Sequence, residues 1–341
     1  MEEEIMWHKL LVPLLLFVVL SIRPTVYAVP VPTLNLAALT RAADLIVVGK
    51  VTAIREAGTK IIDVSGHSMS THIKLATLQV ERKVKGEVRQ QNIDFEFLVP
   101  SLPLGYKAVS SAQFGMFFLR AAAPSRYVVL NPYFPFVHVS KQAPAIQGSE
   151  LEKVVAEVAH ILVAGNASAK EREQAIEILS RVESPNVLEE LRRAFKTLDP
   201  PLRLMVGGVL LSRNDISVLH TVERALLHPP PNISKDILRG LAGALNDVRD
   251  PRAVPSLFRL LSASDVYTRR GAIKGLRLTA SRDALKPLSA GLTDYDFEVR
   301  YNAVIGLAEI TNQYEWGPSV ALFQKDENHY LNYWLSWAKA R

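Results

Sequence analysis

Histidines are the side chains in this sequence best suited to metal or proton chemistry. The 341-residue chain has eight of them and no cysteine. Two lie close together, His67 and His72, in the run Gly66-His67-Ser68-Met69-Ser70-Thr71-His72. Paired imidazoles can hold a metal ion or pass a proton. On a strand, an odd offset sends the two rings to opposite faces, although a loop would allow them to meet. No His-Glu-x-x-His motif accompanies them, so the spacing predicts structural or surface histidines. The chain also lacks a Gly-x-Ser-x-Gly elbow, a phosphate-binding glycine loop and a calcium-loop pattern. No catalytic residue, cofactor or metal ligand is therefore assigned. Without cysteine there is no disulfide framework, no thiolate metal site and no lipidation signal that needs that residue.

Charged residues recur in register. Asp265 and Arg269 return as Asp296 and Arg300, each 31 residues on. Side chains that recur in this way are expected to cap helices and to bridge one unit to the next rather than to catalyse. A second group varies in type from unit to unit: Asn186, Glu190 and Arg193; Ser217, His220 and Arg224; Arg252, Ser256 and Arg259; Asp283 and Lys286. These positions are expected to point away from the core. We take Glu190, Arg193, His220, Arg224, Arg252, Arg259 and Lys286 as the candidate partner-binding residues.

The elements that carry them follow from one repeat. The stretch 250–276 almost reproduces itself one period later: Ala253 returns as Ala284, Leu257 as Leu288, Leu261 as Leu292, Gly275 as Gly306 and Leu276 as Leu307. A fixed period of 20–50 residues signals stacked supersecondary units. Val254, Leu257, Phe258 and Leu261 fall at i, i+3, i+4 and i+7, which is one helix face. Pro251 and Pro255 suit a helix start. A second helix is expected over 267–279, with Asp265 as its N-cap and Ala272, Gly275 and Leu276 facing a neighbour. With looser spacing the pattern runs back through helices at 150–163, 172–182, 187–195, 200–211 and 216–227, about five pairs in all. Tyr330, Tyr333, Trp334 and Trp337 predict a closing helix at the C-terminal end.

The runs Asp250-Pro251-Arg252-Ala253-Val254-Pro255 and Val299-Arg300, with the following Ala303 and Gly306-Leu307, resemble the HEAT-like repeats first described in phycobilin lyases. The resemblance covers roughly 150–341 and implies a curved α-solenoid with one helix of each pair lining a concave face. It does not imply lyase chemistry.

The first 28 residues read as a secretory signal peptide. Residues 10–22 form an apolar run shorter than the roughly 20 residues of a membrane-spanning helix. Val26-Tyr27-Ala28 offers a cleavage site, so the mature chain is expected to start at Val29 and to be periplasmic or extracellular, without a transmembrane span. Glu2, Glu3 and Glu4 replace the usual basic start, which leaves an uncleaved anchor as the alternative. Between residues 29 and 145 apolar alternation replaces the helical period. Strands are expected at 45–54, 73–80, 93–97, 113–120, 126–131 and 134–139, with a bulge between Leu75 and Leu78 to restore register, after a short helix at 35–43. Six short strands suggest a closed barrel or small sandwich.

The runs Ala43-Asp44-Leu45-Ile46-Val47-Val48-Gly49 and Glu81-Arg82-Lys83-Val84-Lys85-Gly86 are similar to a domain that opens exported bacterial proteins. That domain resembles the OB-like barrel of netrin and tissue-inhibitor modules. The disulfides of the animal modules have no counterpart here, so their inhibitory mechanism is not carried over. Residues 29–145 hold 13 Lys and Arg against 7 Asp and Glu, whereas 146–341 hold 25 against 24. The basic excess gathers at Lys74, Arg82, Lys83, Lys85 and Arg89. Nucleic-acid binding is disfavoured, because no stacking aromatics interleave with these charges. A solvated rim is expected instead, with anionic glycans or lipid headgroups as other partners. The expected architecture is thus multidomain α and β: signal peptide 1–28, a small OB/netrin-like β-barrel over 29–145, and a HEAT-repeat α-solenoid over 146–341. The expected role is a non-enzymatic scaffold that binds a protein partner along the solenoid. The alternative is an enzyme or enzyme inhibitor with its site in the barrel.

Overall fold

In a computed structural model the chain is described over residues 33–64, 67–100, 105–123, 126–142 and 148–341. The expected signal peptide and its cleavage site lie outside the described residues.

The first helix, α1 (Leu36–Ala42), starts where the Asn35 side chain accepts a hydrogen bond from the Ala38 amide. Five strands follow: β1 (Leu45–Val64), β2 (His67–Lys85), β3 (Asn92–Pro100), β4 (Phe114–Ala123) and β5 (Arg126–Val129). The pairings run β1-β2-β3-β5-β4, and β4 pairs back on β1. The β3–β5 pairing is parallel and the others are antiparallel. Residues 134–139, expected to be a sixth strand, contribute a single bridge between Val137 and Met116.

The apolar run at the start of β1 has a two-sided explanation. Leu45, Val47 and Val51 join an inner cluster with Ala76, Leu78, Ile93, Phe95, Phe97, Phe117 and Leu119. Ile46 and Val48 point the other way, into a second cluster that includes Val154, Val155 and Val158 of the helical region. A strand covered on both faces needs no polar alternation. The bulge expected in β2 is absent, because β2 pairs with β3 without a break from Thr71 to Gln79. Ala76 and Leu78 share the inner face, and Leu75 faces away from it. Opposite this stretch the extra residue sits on β1, where Val51 pairs with Leu78 but Ala53 pairs with Thr77, leaving Thr52 unpaired in register.

From residue 150 onward the described chain is helical. The helices come in pairs: α2 (Glu150–Val163) with α3 (Ala169–Ser180), α4 (Pro185–Thr197) with α5 (Pro200–Leu211), α6 (Leu219–Leu227) with α7 (Lys235–Ala244), α8 (Val254–Leu260) with α9 (Val266–Leu278), and α10 (Leu285–Gly291) with α11 (Phe297–Thr311). Short 3-10 turns precede α6, α8 and α10. The second helices stack in order, α3 on α5, α5 on α7, α7 on α9 and α9 on α11. This stacking hides the stripe that no single helix could bury, and Leu257, Leu276, Leu288 and Leu307 are each 0 % exposed. Close approach depends on a missing side chain at one point in particular. A Cβ on Gly271 of α9 would lie 2.2 Å from the Ala242 carbonyl oxygen of α7.

The chain closes with α12 (Val320–Lys325) and α13 (Glu327–Lys339). Trp334 is fully buried, and its indole nitrogen donates to the Trp316 carbonyl at 3.1 Å. The C-terminal aromatics therefore pack over α10 and α11 as the closing layer the sequence predicts.

Candidate functional site

Most of the chemically conspicuous residues are engaged within the chain. Asp265 and Asp296 accept hydrogen bonds from the first-turn amides of α9 and α11. Arg269 donates to both carboxylate oxygens of Asp294, at 2.8 and 3.2 Å, and to the Ala263 and Ser264 carbonyls. Arg300 repeats the arrangement one unit later, on the Asp294 carbonyl and the Glu327 carboxylate. Arg270 grips Asp296 through two nitrogens and holds its carboxyl below the ordinary carboxylate range. The recurring charges thus cap helices and bridge successive pairs, as their period predicts.

The outward positions of the first helices are a mixed set. Arg193 pairs with Glu190 at 2.8 Å along one helix. Arg252 folds back on Asp250. Arg259 crosses to the preceding pair and binds both oxygens of Glu223, a residue only 6 % exposed. The Arg259 guanidinium, partly opposed by burial, draws the Glu223 carboxyl below its usual range. Arg259 is therefore a cross-brace as well as a surface residue. His220, Arg224 and Lys286 are exposed, and Lys286 lines a shallow cavity with Phe258, Pro251 and Pro255.

The basic cluster of the β region also divides. Lys74 pairs with Glu56 at 3.1 Å. Arg82 reaches across to α2 and donates to both oxygens of Glu157, at 2.8 and 2.7 Å, and to the Ser140 and Lys141 carbonyls. Lys85 pairs with Glu150 and donates to the Thr40 carbonyl. Arg82 and Lys85 are thus interior clamps between β2 and the first long helix, contrary to the expected solvated rim. Lys83 and Arg89 are exposed. His72 is exposed beside Glu56, whereas the side chain of His67 lies outside the described residues. The inner face of the sheet is filled by its own Val, Ile, Leu and Phe side chains.

Two larger openings stand out among the described residues. One lies between the sheet and α2–α3, with cavities of about 360 and 320 Å³ on either side of His138 and Glu171. Burial pushes the His138 imidazole pKa down, against the pull of Glu171. Glu171 is itself committed to a capping box with Ser168. The other opening is a groove of about 530 Å³ over the second helices, lined by α3, α5 and α7 and extending to Asp247. Its floor holds Ile176, Leu204, Met205, Val209, Ile237 and Leu241. Glu177, Asp236 and Asp247 stand at its edge. None of these residues is among the sequence-derived candidates, which lie on the first helices. The sequence does carry one mark of the groove, two glycines three residues apart within a helical pattern, Gly240 and Gly243.

Comparison with known proteins places the helical region. Residues 254–315, which span α8 to α11, match the family model of HEAT repeats. The C-terminal region is thus a stack of helix pairs with HEAT-like repeats. No curated protein matches the chain. Among solved structures, YibA of Escherichia coli shares 17 % identity with a TM-score of 0.33, covering 49 % of this chain and 65 % of that one. A structure concerned with lipid–protein interactions in lipovitellin shares 12 % identity with the same TM-score, covering 84 % of this chain and 38 % of that one. The chain thus spans less than two thirds of the length of each of these two solved structures.

Proposed function

We propose that this chain is an exported, non-enzymatic scaffold, a small OB/netrin-like barrel followed by an α-solenoid, that binds a protein partner along its helical stack. The observation that carries the reading is the open apolar groove over three consecutive second helices, next to repeats of an interaction-prone family. Stacked repeats offer extended surfaces for protein partners. In this reading export follows cleavage after Ala28, and the partner meets the chain in the periplasm or the medium. The exposed residues of the first helices, Arg193, His220, Arg224 and Lys286, lie outside the groove and steer association through charge. Rim charges act mainly on association rate and its salt dependence.

The test is affinity capture from the envelope and medium of the expressing cell with the full chain, followed by association kinetics with the captured protein. Reversing Arg193 and Arg224 together should slow association at low salt and leave the fold intact. Arg259 stays out of that set because of its bond to Glu223. Reversal of Lys83 and Arg89 on the β region serves as the control. The reading fails if no stoichiometric partner is retained, or if the β-region change alone abolishes capture. N-terminal sequencing should find Val29 first. An intact Met1 in the membrane fraction would favour the anchored alternative, and among the described residues no helix is long and apolar enough to cross a membrane.

A further inference from the structure

The groove over α3, α5 and α7 has more character than an unspecific apolar surface. The charges of α7 are sorted by side. Lys235 and Arg239 line a separate cavity with Tyr267, where the Arg239 guanidinium lies 5.5 Å from the ring centre. Asp236, between them in sequence, lines the groove. At the other end Arg249 donates to the carbonyl oxygen of Asp247, at 2.8 Å, and not to its carboxylate. Glu177 has Arg181 at 2.7 Å. Among the described residues no cation forms an ion pair with the side chain of Asp236 or Asp247.

The second observation is independent of charge. Gly240 and Gly243 lie on the exposed side of α7, and a Cβ at either would meet nothing within 4 Å. Gly271 is the contrast, because there the neighbouring backbone demands the glycine. A glycine inside a helix destabilises it relative to alanine. Among the described residues no contact explains two such glycines. Their effect is to leave α7 bare, so that another chain can lie close against it.

From this we infer that the groove receives a basic amphipathic helix of a protein partner, its apolar face on the Met205–Ile237 floor and its lysines or arginines against Asp236 and Asp247. The inference rests on the scaffold reading and adds the face and the chemistry of the partner. Helix-in-groove recognition uses anchors at i, i+3, i+4 and i+7. Three helices spaced 8–10 Å apart offer about 20 Å, or roughly 13 residues of helix. An anionic amphiphile such as a fatty acid would meet the same carboxylates as repulsion, which selects against it.

The probe is a fluorescein-labelled Leu/Lys amphipathic peptide of about 14 residues, read by anisotropy against the full chain. A peptide with Glu in place of each Lys and a scrambled peptide are the controls. The Leu/Lys helix should bind, and the Leu/Glu helix should bind at least about tenfold more weakly. Gly240→Leu with Gly243→Leu should weaken binding by at least about tenfold while leaving the thermal midpoint unchanged or higher, since both changes favour the helix. Asp236→Asn with Asp247→Asn should weaken the basic peptide and flatten its salt dependence. Equal binding of the basic and acidic helices would overturn the inference, as would indifference to the glycine changes or displacement of the peptide by dodecanoate. A concentration-dependent dimer that the glycine changes dissolve would make a second copy of this chain the occupant, and would also overturn it. If a natural partner is captured by the wild type and equally by the glycine variant, the scaffold stands and this face is wrong. If neither chain captures a partner but the peptide results hold, the scaffold reading alone falls.

Discussion

Arg82 and Glu157 offer the sharpest test of how the β region is fixed to the helices. They lie 75 residues apart in sequence and meet through two hydrogen bonds, at 2.8 and 2.7 Å. The side chains are 15 % and 5 % exposed. Arg82→Ala would leave the Glu157 carboxylate buried without a cation and would also release the Ser140 and Lys141 carbonyls. Removing one partner of a buried pair costs about 3–5 kcal/mol, because the other charge stays desolvated. The carbonyl bonds alone would account for about 1 kcal/mol each. Glu157→Ala should cost a similar 3–5 kcal/mol, leaving a largely buried guanidinium. Replacing both, as Arg82→Met with Glu157→Leu, should cost much less than the two singles together, with a coupling of about 2 kcal/mol or more. Urea unfolding followed by circular dichroism gives the energies. Hydrogen exchange over 78–85 and 150–163 shows whether both sides loosen together. Additive single effects of less than about 1 kcal/mol, as an exposed pair would give, would refute the clamp.

Other expectations follow from the same contacts. Leu276→Ala should cost about 2–5 kcal/mol as a buried large-to-small change, and exchange protection should fall together in α7, α9 and α11; exposure confined to 266–278 would contradict shared stacking. Gly271→Ala should destabilise, because its Cβ would press on the Ala242 carbonyl, whereas Gly240→Ala should stabilise by about 0.5–1 kcal/mol; thermal melts of the two variants must move in opposite directions. For Glu223, whose carboxyl lies below its ordinary value of 4.5 in the fold, the stabilising contribution is full above that value and is lost as pH falls below it. Arg259→Met removes the largest influence that holds the carboxyl down and leaves burial opposed only by Ser256 and His220, so that variant should lose less stability on acidification than the wild type. The gap in urea midpoint between wild type and Arg259→Met should be widest at neutral pH and should narrow toward pH 4; a gap that does not change with pH would mean that Glu223 does not depend on Arg259.

The repeat was legible in the sequence because its signals are local. The caps Asp265 and Asp296 act on amides three residues away. The period that returns Leu257 as Leu288 marks which helix faces are buried, since every unit must solve the same packing problem. The inner alternation of Ile93, Phe95 and Phe97 is local in the same sense. Tertiary structure alone decided which charges are free. Helical periodicity says that Arg259 points away from the core of its own unit, but not that Glu223, 36 residues earlier, waits on the adjacent helix. Lys85 and Arg82 read as one basic rim until α2 brings Glu150 and Glu157 against β2. Leu75 and Leu78 looked like one inward row with a bulge, yet Ala76 takes the inward place, because a small side chain on a strand is silent about which face it occupies. The groove belongs to the same class. Gly240 and Gly243 are visible as helix-weakening residues in the sequence, but whether a bare helix face meets a neighbour, as at Gly271, or opens to solvent depends on how the second helices stack. That stacking is a property of three separated segments, 169–180, 200–211 and 235–244, and no one of them encodes it alone.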